Sequence, residues 1–308
     1  MRLGFATLGC PGAPLDDVLA LARDHKFTGL ELRAAPDEFT HTGLSAAQRR
    51  ELRTRIEDAG LEIFAISSYV KLCAVEDQPL EAHLELAADL GALGVRVFPG
   101  DRTDDQTDDQ TDDGTAEGPS AGEIRALDRV TAAPRDVPIL LETHDSHSTA
   151  RQVAAFCALL DADVPGHNVK ALWDSSHTWS HGETLAESFA LLRPWLQVVQ
   201  FKQADSGQDY RPVAIDAGDF PIGELMTVLD GTDYPLSLEW ELKWHPQLPS
   251  LAETLPADRD DARRRGGRLA RADAGPLPDR AGSQPGVNGG QGLGQGRQLR
   301  VPLQLPLE

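Results

Sequence analysis

Cysteine is scarce in this chain of 308 residues, which has three: Cys10, Cys73 and Cys157. Odd in number and far apart, they exclude a disulfide framework and fit reduced thiols in a cytoplasmic protein. Long apolar runs are missing too. None approaches the roughly 20 residues that span a bilayer, so no membrane segment is expected. The start, MRLGFATLGCPG, has one Arg before a short apolar run and no small-residue cleavage site, so it reads as a first strand rather than a secretory signal. No GxGxxG follows that run, since LGCPGAP does not fit, and this removes the dinucleotide fingerprint. Basic residues are few: 29 Lys and Arg face 49 Asp and Glu, a net charge of −20. Phosphate contacts need Lys and Arg, so a nucleic-acid partner is not expected.

Two segments lack what a core needs. Residues 101–119 follow the fourth predicted strand and repeat Thr, Asp, Asp and Gln without a large apolar side chain; Asp101 to Glu117 carries eight acids and one Arg. Such a stretch cannot bury enough surface to offset the entropy of ordering, and reads as a flexible acidic insert. It lacks the glycine and terminal Glu spacing of an EF-hand loop. Residues 246–308 contain no Phe, Trp or Tyr but ten Gly and eight Pro, and read as a disordered or atypical tail. The change in character is abrupt, as if a reading-frame change had replaced a final helix. Loss of that helix predicts exposed apolar surface, and with it low stability or cover from a second copy in a homo-oligomer.

What is present, over residues 1–245, is a regular alternation. Short apolar runs occur at Leu3–Leu8, Leu30–Arg33, Leu61–Ser67, Val95–Phe98, Ile139–Thr143, Val169–Trp173, Gln197–Lys202 and Leu236–Trp240. Stretches such as PLDDVLALARDH, SAAQRRELRTRIEDAG, LEAHLELAADLGALG, STARQVAAFCALL, TLAESFALLRPW and PIGELMTVL lie between them, with apolar residues three and four apart. Eight strand-then-helix units without a hairpin signal predict a parallel (β/α)8 TIM barrel, with a doubly wound sheet as runner-up.

In such a barrel the chemistry sits at the C-terminal strand ends. Strand five ends in Glu142 and then His144; strand six ends in Asp174 and then His177. Strand seven offers Gln200 and Lys202, and strand eight Glu239, then Glu241 and Lys243. Alone, Asp174 before Ser175 and Ser176 would be a helix cap. Four oxygen donors on four consecutive strand ends make a different pattern. Adjacent strands lie about 4.8 Å apart, so the side chains can converge. Three converging carboxylates would repel one another unless a cation sat among them. Carboxylates with an amide oxygen suit a divalent ion such as Mg²⁺ or Mn²⁺.

The segments LETH, WDSSH, FKQAD, AGDFPIGELMTVL and SLEWE together resemble the sugar phosphate isomerase/epimerase family, with its xylose-isomerase-like TIM barrel. The resemblance covers essentially residues 1–245 and implies a one-metal site of Glu142, Asp174, residue 200 and Glu239. It also implies Glu142 and Glu239 as acid and base in an enediolate-type reaction on a keto- or aldo-sugar or a sugar phosphate. His177 corresponds to a holder of a substrate hydroxyl. Lys202, on the same face as Gln200, can bind a substrate oxygen or phosphate. Arg33 and His144 are further substrate-binding candidates; for Arg33 a surface ion pair competes. Gln200 is the departure, since the family has His there. An amide offers oxygen but no imidazole nitrogen, which favours Mg²⁺ or Mn²⁺ over Co²⁺ or Zn²⁺.

Three other readings compete. An endonuclease-IV-like enzyme shares the fold superfamily but needs histidines where this chain reads LRAAP, SSYVK, VFPGD and VVQFK. An inosose-type dehydratase uses the same metal and enolate chemistry. A degenerate, non-catalytic sugar-binding barrel is the third, prompted by Gln200 and the tail.

Overall fold

Alternation inside the strands sets the architecture. In VRVF, LELR and VKALWD, every second side chain faces one way, so each strand presents one row to a helix layer and one to an interior. The computed structural model describes residues 2–101 and 118–255. Eight strands, β1 (Arg2–Ala6), β2 (Gly29–Arg33), β3 (Glu62–Lys71), β4 (Val95–Phe98), β5 (Ile139–Glu142), β6 (Val169–Asp174), β7 (Leu196–Phe201) and β8 (Pro235–Leu238), are all parallel to their neighbours. They pair in sequence order, and β8 closes on β1, giving the closed barrel that the sequence predicts.

Helices α1 (Leu15–Asp24), α2 (Ala46–Asp58), α3 (Leu80–Leu90), α4 (Ala121–Ala132), α5 (Ala150–Asp163), α6 (Ser175–Ser180), α7 (Leu185–Leu192) and α8 (Ile222–Val228) follow the strands, and a single turn, α9 (Leu251–Thr254), comes after β8. The capping box is used repeatedly. Ser45 before α2, Ser120 before α4, Thr149 before α5 and Thr184 before α7 each cap a main-chain N–H while the third helical residue bonds back. The eight strand-then-helix units of the sequence include α4 only by count, and α6 starts where Asp174 reads as a helix cap; a hairpin is not expected from the sequence. A two-residue antiparallel pair, Ala204–Asp205 with Arg211–Pro212, branches from the loop after β7.

The barrel interior is layered. Ala65, Leu140, Leu172 and Val198 form an apolar layer. Two residues further along the same strands, and so on the same face, stand Ser67, Glu142, Asp174 and Gln200, all buried. The intervening Leu141, Trp173 and Val199 belong to the larger core beneath the helices. The polar layer therefore lies at the C-terminal mouth.

Of the predicted tail, residues 246–255 are described: Trp240 Nε1 donates to the Pro249 carbonyl at 2.9 Å, and Leu251 is buried. Residues 256–308 and nearly all of the acidic insert, 102–117, lie outside the described residues. No helix among the described residues is long and apolar enough to cross a membrane.

Candidate metal centre at the barrel mouth

Asp174 ends β6 and is the N-cap of α6, so its backbone is fixed by two elements. Its two oxygens divide the work. Oδ1 accepts from the N–H of Ser176 at 2.9 Å and of His177 at 3.4 Å, while Oδ2 accepts from Lys202 Nζ at 2.6 Å. Capping thus occupies one oxygen and leaves the other facing the interior. Glu142, the last residue of β5, and Glu239, directly after β8, bring one oxygen each within 4.8 Å of that of Asp174 and of one another. All three are buried.

Lys202 holds this acidic group together. Its ammonium lies 2.7 Å from Glu239 Oε2 and 2.8 Å from Glu241 Oε1, besides the contact with Asp174. Burial works against charge on Lys202, but the three carboxylates outweigh it and hold the ammonium well above its usual range. Burial likewise disfavours the Glu241 carboxylate, yet Lys202 and His245 hold it down at about 2. Glu142 lies further from this cation. Burial pushes it up to about 8, with Glu239 and Asp174 adding to the rise against Arg96 and His144. Asp174 is raised to about 6 by burial, against the pull of Lys202.

Gln200 sits beside Asp174 in the register of β6 and β7 and beside Ser237 in that of β7 and β8. Its Nε2 donates to Glu31 Oε1 at 2.7 Å, and its Oε1 is buried without a hydrogen-bond partner. Glu142 Oε2 is similarly placed. Arg96 Nε stands 3.2 Å away, but its N–H is not aimed along the contact, so neither atom completes a hydrogen bond. Buried acceptors without donors are costly and rare. Two of them, Glu142 Oε2 and Gln200 Oε1, belong to a donor set of otherwise hard oxygens, which is what a divalent cation would satisfy. The residues present therefore fit such an ion.

The histidines line one flank. His144 Nδ1 lies 2.7 Å from Asp145 Oδ1, and its ring packs on Phe98 and His177 with centroids 4.5 and 4.7 Å apart. Burial disfavours charge on His144, but Asp145 and Glu142 raise its pKa overall. Burial and Lys202 push His177 well below the usual range, so its imidazole is neutral. Glu142, His144 and His177 form a second group whose ligand atoms also lie within 4.8 Å of one another. Asp145 takes a left-handed backbone, φ 47°, and its Oδ2 accepts the Gly100 N–H.

Arg33 is buried rather than on the surface. Its Nη1 contacts Glu38 at 2.5 Å and Asp37 at 3.0 Å, and its Nε donates to the Tyr69 hydroxyl at 2.6 Å. The guanidinium lies over the Tyr69 and Trp244 rings, both partly exposed. Arg96 was missed by sequence reading, as was the contact of Glu31 with Gln200. In VRVF the apolar Val95 and Val97 face the helices, so Arg96 faces inward; the alternation held that signal.

Comparison with known proteins agrees with the barrel fold. The family described as xylose isomerase-like TIM barrel matches residues 19–262. The chain is 26% identical over 247 residues to the 3-dehydroshikimate dehydratase of Bacillus anthracis, covering 73% of this chain and 84% of that protein. Among solved structures, an L-ribulose 3-epimerase superposes with a TM-score of 0.63 at 18% identity, over 89% of this chain and 96% of its own. The IolI protein, solved with a bound zinc atom, gives 0.63 at 16% identity over 87% and 99%.

Proposed function

Because the chain belongs to the xylose isomerase-like TIM barrel family, we propose that it is a divalent-metal-dependent isomerase or epimerase of a keto- or aldo-sugar, or of a sugar phosphate. The observation that carries this reading is the convergence of Glu142, Asp174 and Glu239 on one buried point beside Gln200. These four residues would hold one ion. An all-oxygen set suits Mg²⁺ or Mn²⁺ ahead of Co²⁺ or Zn²⁺. Such an ion supplies Lewis-acid polarisation of a carbonyl and offsets the negative charge that develops when the neighbouring C–H proton leaves.

Glu142 and Glu239 are the acid and base. Their surroundings differ: Glu142 is raised by burial, whereas Glu239 accepts a hydrogen bond from the Lys202 ammonium. Unlike environments for two carboxylates are how one site separates the two roles. His177, neutral and beside Asp174, exchanges a hydrogen bond with a substrate hydroxyl. Lys202 swings on its four-carbon stem between the carboxylates and a substrate oxygen or phosphate. His144 lines the same flank, and Arg33 keeps Nη2 for the outer part of the substrate.

The similarity to a 3-dehydroshikimate dehydratase favours a second reading, dehydration. The same proton removal would be followed by expulsion of a hydroxyl two carbons from the carbonyl, as in an inosose-type dehydratase. Incubating the Mn²⁺-loaded protein in D₂O with ketoses and with cyclic keto-polyols separates these. Deuterium gained beside the carbonyl without loss of water, and abolished by Glu142→Gln, is the expected result. Loss of water would establish dehydration. Neither signal, with wild type and Glu142→Gln alike, would leave a non-catalytic sugar-binding barrel.

A further inference from the structure

Glu31 is fully buried on β2, yet it is absent from the group of carboxylates that converge with Asp174. A buried carboxylate costs free energy unless donors satisfy it. Its Oε1 has two, Ser67 Oγ on β3 at 2.6 Å and Gln200 Nε2 on β7 at 2.7 Å, while its Oε2 is buried without a hydrogen-bond partner. Ser67 and Gln200 thereby tie Glu31 to two other strands of the polar layer.

We infer that Glu31 is a positioning residue that sets which end of the Gln200 amide faces the metal site, and so sets the metal preference of the protein. This rests on the metal reading above. A primary amide has one donor end and one acceptor end, and only its oxygen can ligate a cation. Nothing in the Gln200 side chain itself chooses between the two orientations. Glu31 Oε1, which already receives the Ser67 hydroxyl, is an acceptor, so it takes the Nε2 end. The oxygen is left over, and it is this atom that is buried without a partner. Glu31 is also placed as an outer partner for a histidine at position 200, where it would receive one ring N–H and direct the other nitrogen inward.

The test titrates chelator-stripped protein with Mn²⁺ and with Zn²⁺ by calorimetry, with circular dichroism and melting curves to confirm folding. Wild type, Asp174→Asn, Glu31→Gln, Gln200→His and the Gln200→His/Glu31→Gln pair are compared. Outer partners of metal ligands are worth about 10–100-fold in affinity. Glu31→Gln, nearly isosteric, is therefore expected to weaken Mn²⁺ binding at least about tenfold at an unchanged melting temperature. Gln200→His is expected to raise the Zn²⁺ to Mn²⁺ affinity ratio by at least about tenfold, and to lose most of that gain when Glu31→Gln is added. A merely structural Glu31 would not move this ratio. Mn²⁺ affinity unchanged in Glu31→Gln, or a Zn²⁺ gain independent of Glu31, overturns the positioning role alone. Should Glu31→Gln fail to fold, Gln200→His carries the test, and an unchanged ratio overturns the inference. Absence of any Mn²⁺ binding in wild type that Asp174→Asn removes would overturn the metal reading, and this inference with it.

Discussion

Asp174 performs two tasks with two oxygens, and substitutions can separate them. Asn is as good an N-cap as Asp, and its amide oxygen can accept from Ser176 as Oδ1 does. It cannot supply the charge that faces Lys202. Asp174→Asn is expected to keep α6 and the fold while weakening Mn²⁺ binding at least about a hundredfold, the size expected when one charged ligand of a small oxygen set is lost. Asp174→Ala removes the cap as well, which costs about 0.5–2 kcal/mol by itself, and leaves Lys202 with one buried partner fewer. Denaturant unfolding of both variants alongside metal titration checks this. Equal loss of stability in the two would mean that the cap contributes nothing. Unchanged metal binding in Asp174→Asn would remove Asp174 from the ligands.

At the scale of strands and helices, close approach matters as much as polarity. Gly29 of β2 lies against Phe64 of β3, and a Cβ at residue 29 would stand 2.2 Å from the ring. Gly4 on β1 abuts the same ring. Phe64 thus fills the space that two glycines leave on neighbouring strands. Gly29→Ala is expected to destabilise by about 1–3 kcal/mol, the usual range for overpacking a core. The melting temperature should fall with little change in metal affinity, because Gly29 opens β2 and the clash is with Phe64 rather than with a ligand; a parallel loss of metal affinity would show coupling through Glu31, two residues along β2. The same pairing rules explain what was legible in the sequence. Every predicted strand exists within a few residues of its expected bounds, because apolar runs separated by helical spacing leave few alternatives. Helix α4 was legible only as the member that eight strand-then-helix units require between the fourth and fifth strands, and α6, six residues long, only through Asp174 as its cap, since it is too short for a period to register. Of the site, Glu142, Asp174 and Glu239 were readable as carboxylates ending apolar runs. The inward turn of Arg96 lay in the alternation of VRVF and went unread, whereas the partnership of Glu31 with Gln200 was not readable at all. That partnership depends on which strands face each other across the barrel, and spacing along one strand carries no information about that.

For the molecule as a whole, net charge and metal binding are linked. The chain carries −20, with Asp174, Glu239 and Glu241 gathered at its mouth around Lys202 and Glu142 beside them against Arg96. A cation that binds only the folded protein stabilises it by RT ln(1 + [L]/Kd), about 2.7 kcal/mol at a hundred times Kd. For a fold of this size each kcal/mol moves the melting temperature by about 2–4 °C. Saturating Mn²⁺ is therefore expected to raise it by about 5–10 °C over protein in chelator. Divalent ions also gather around any acidic surface, and Asp101 to Glu117 alone carries a net charge of −7. That contribution is screened by salt over about 8 Å at physiological ionic strength, whereas a buried site is not. Calorimetric scans in chelator and in Mn²⁺, at matched high ionic strength, separate the two effects. The shift should survive salt in wild type and vanish in Asp174→Asn. A shift that salt removes, or that Asp174→Asn retains in full, would assign the stabilisation to the acidic surface and leave the barrel mouth without a metal.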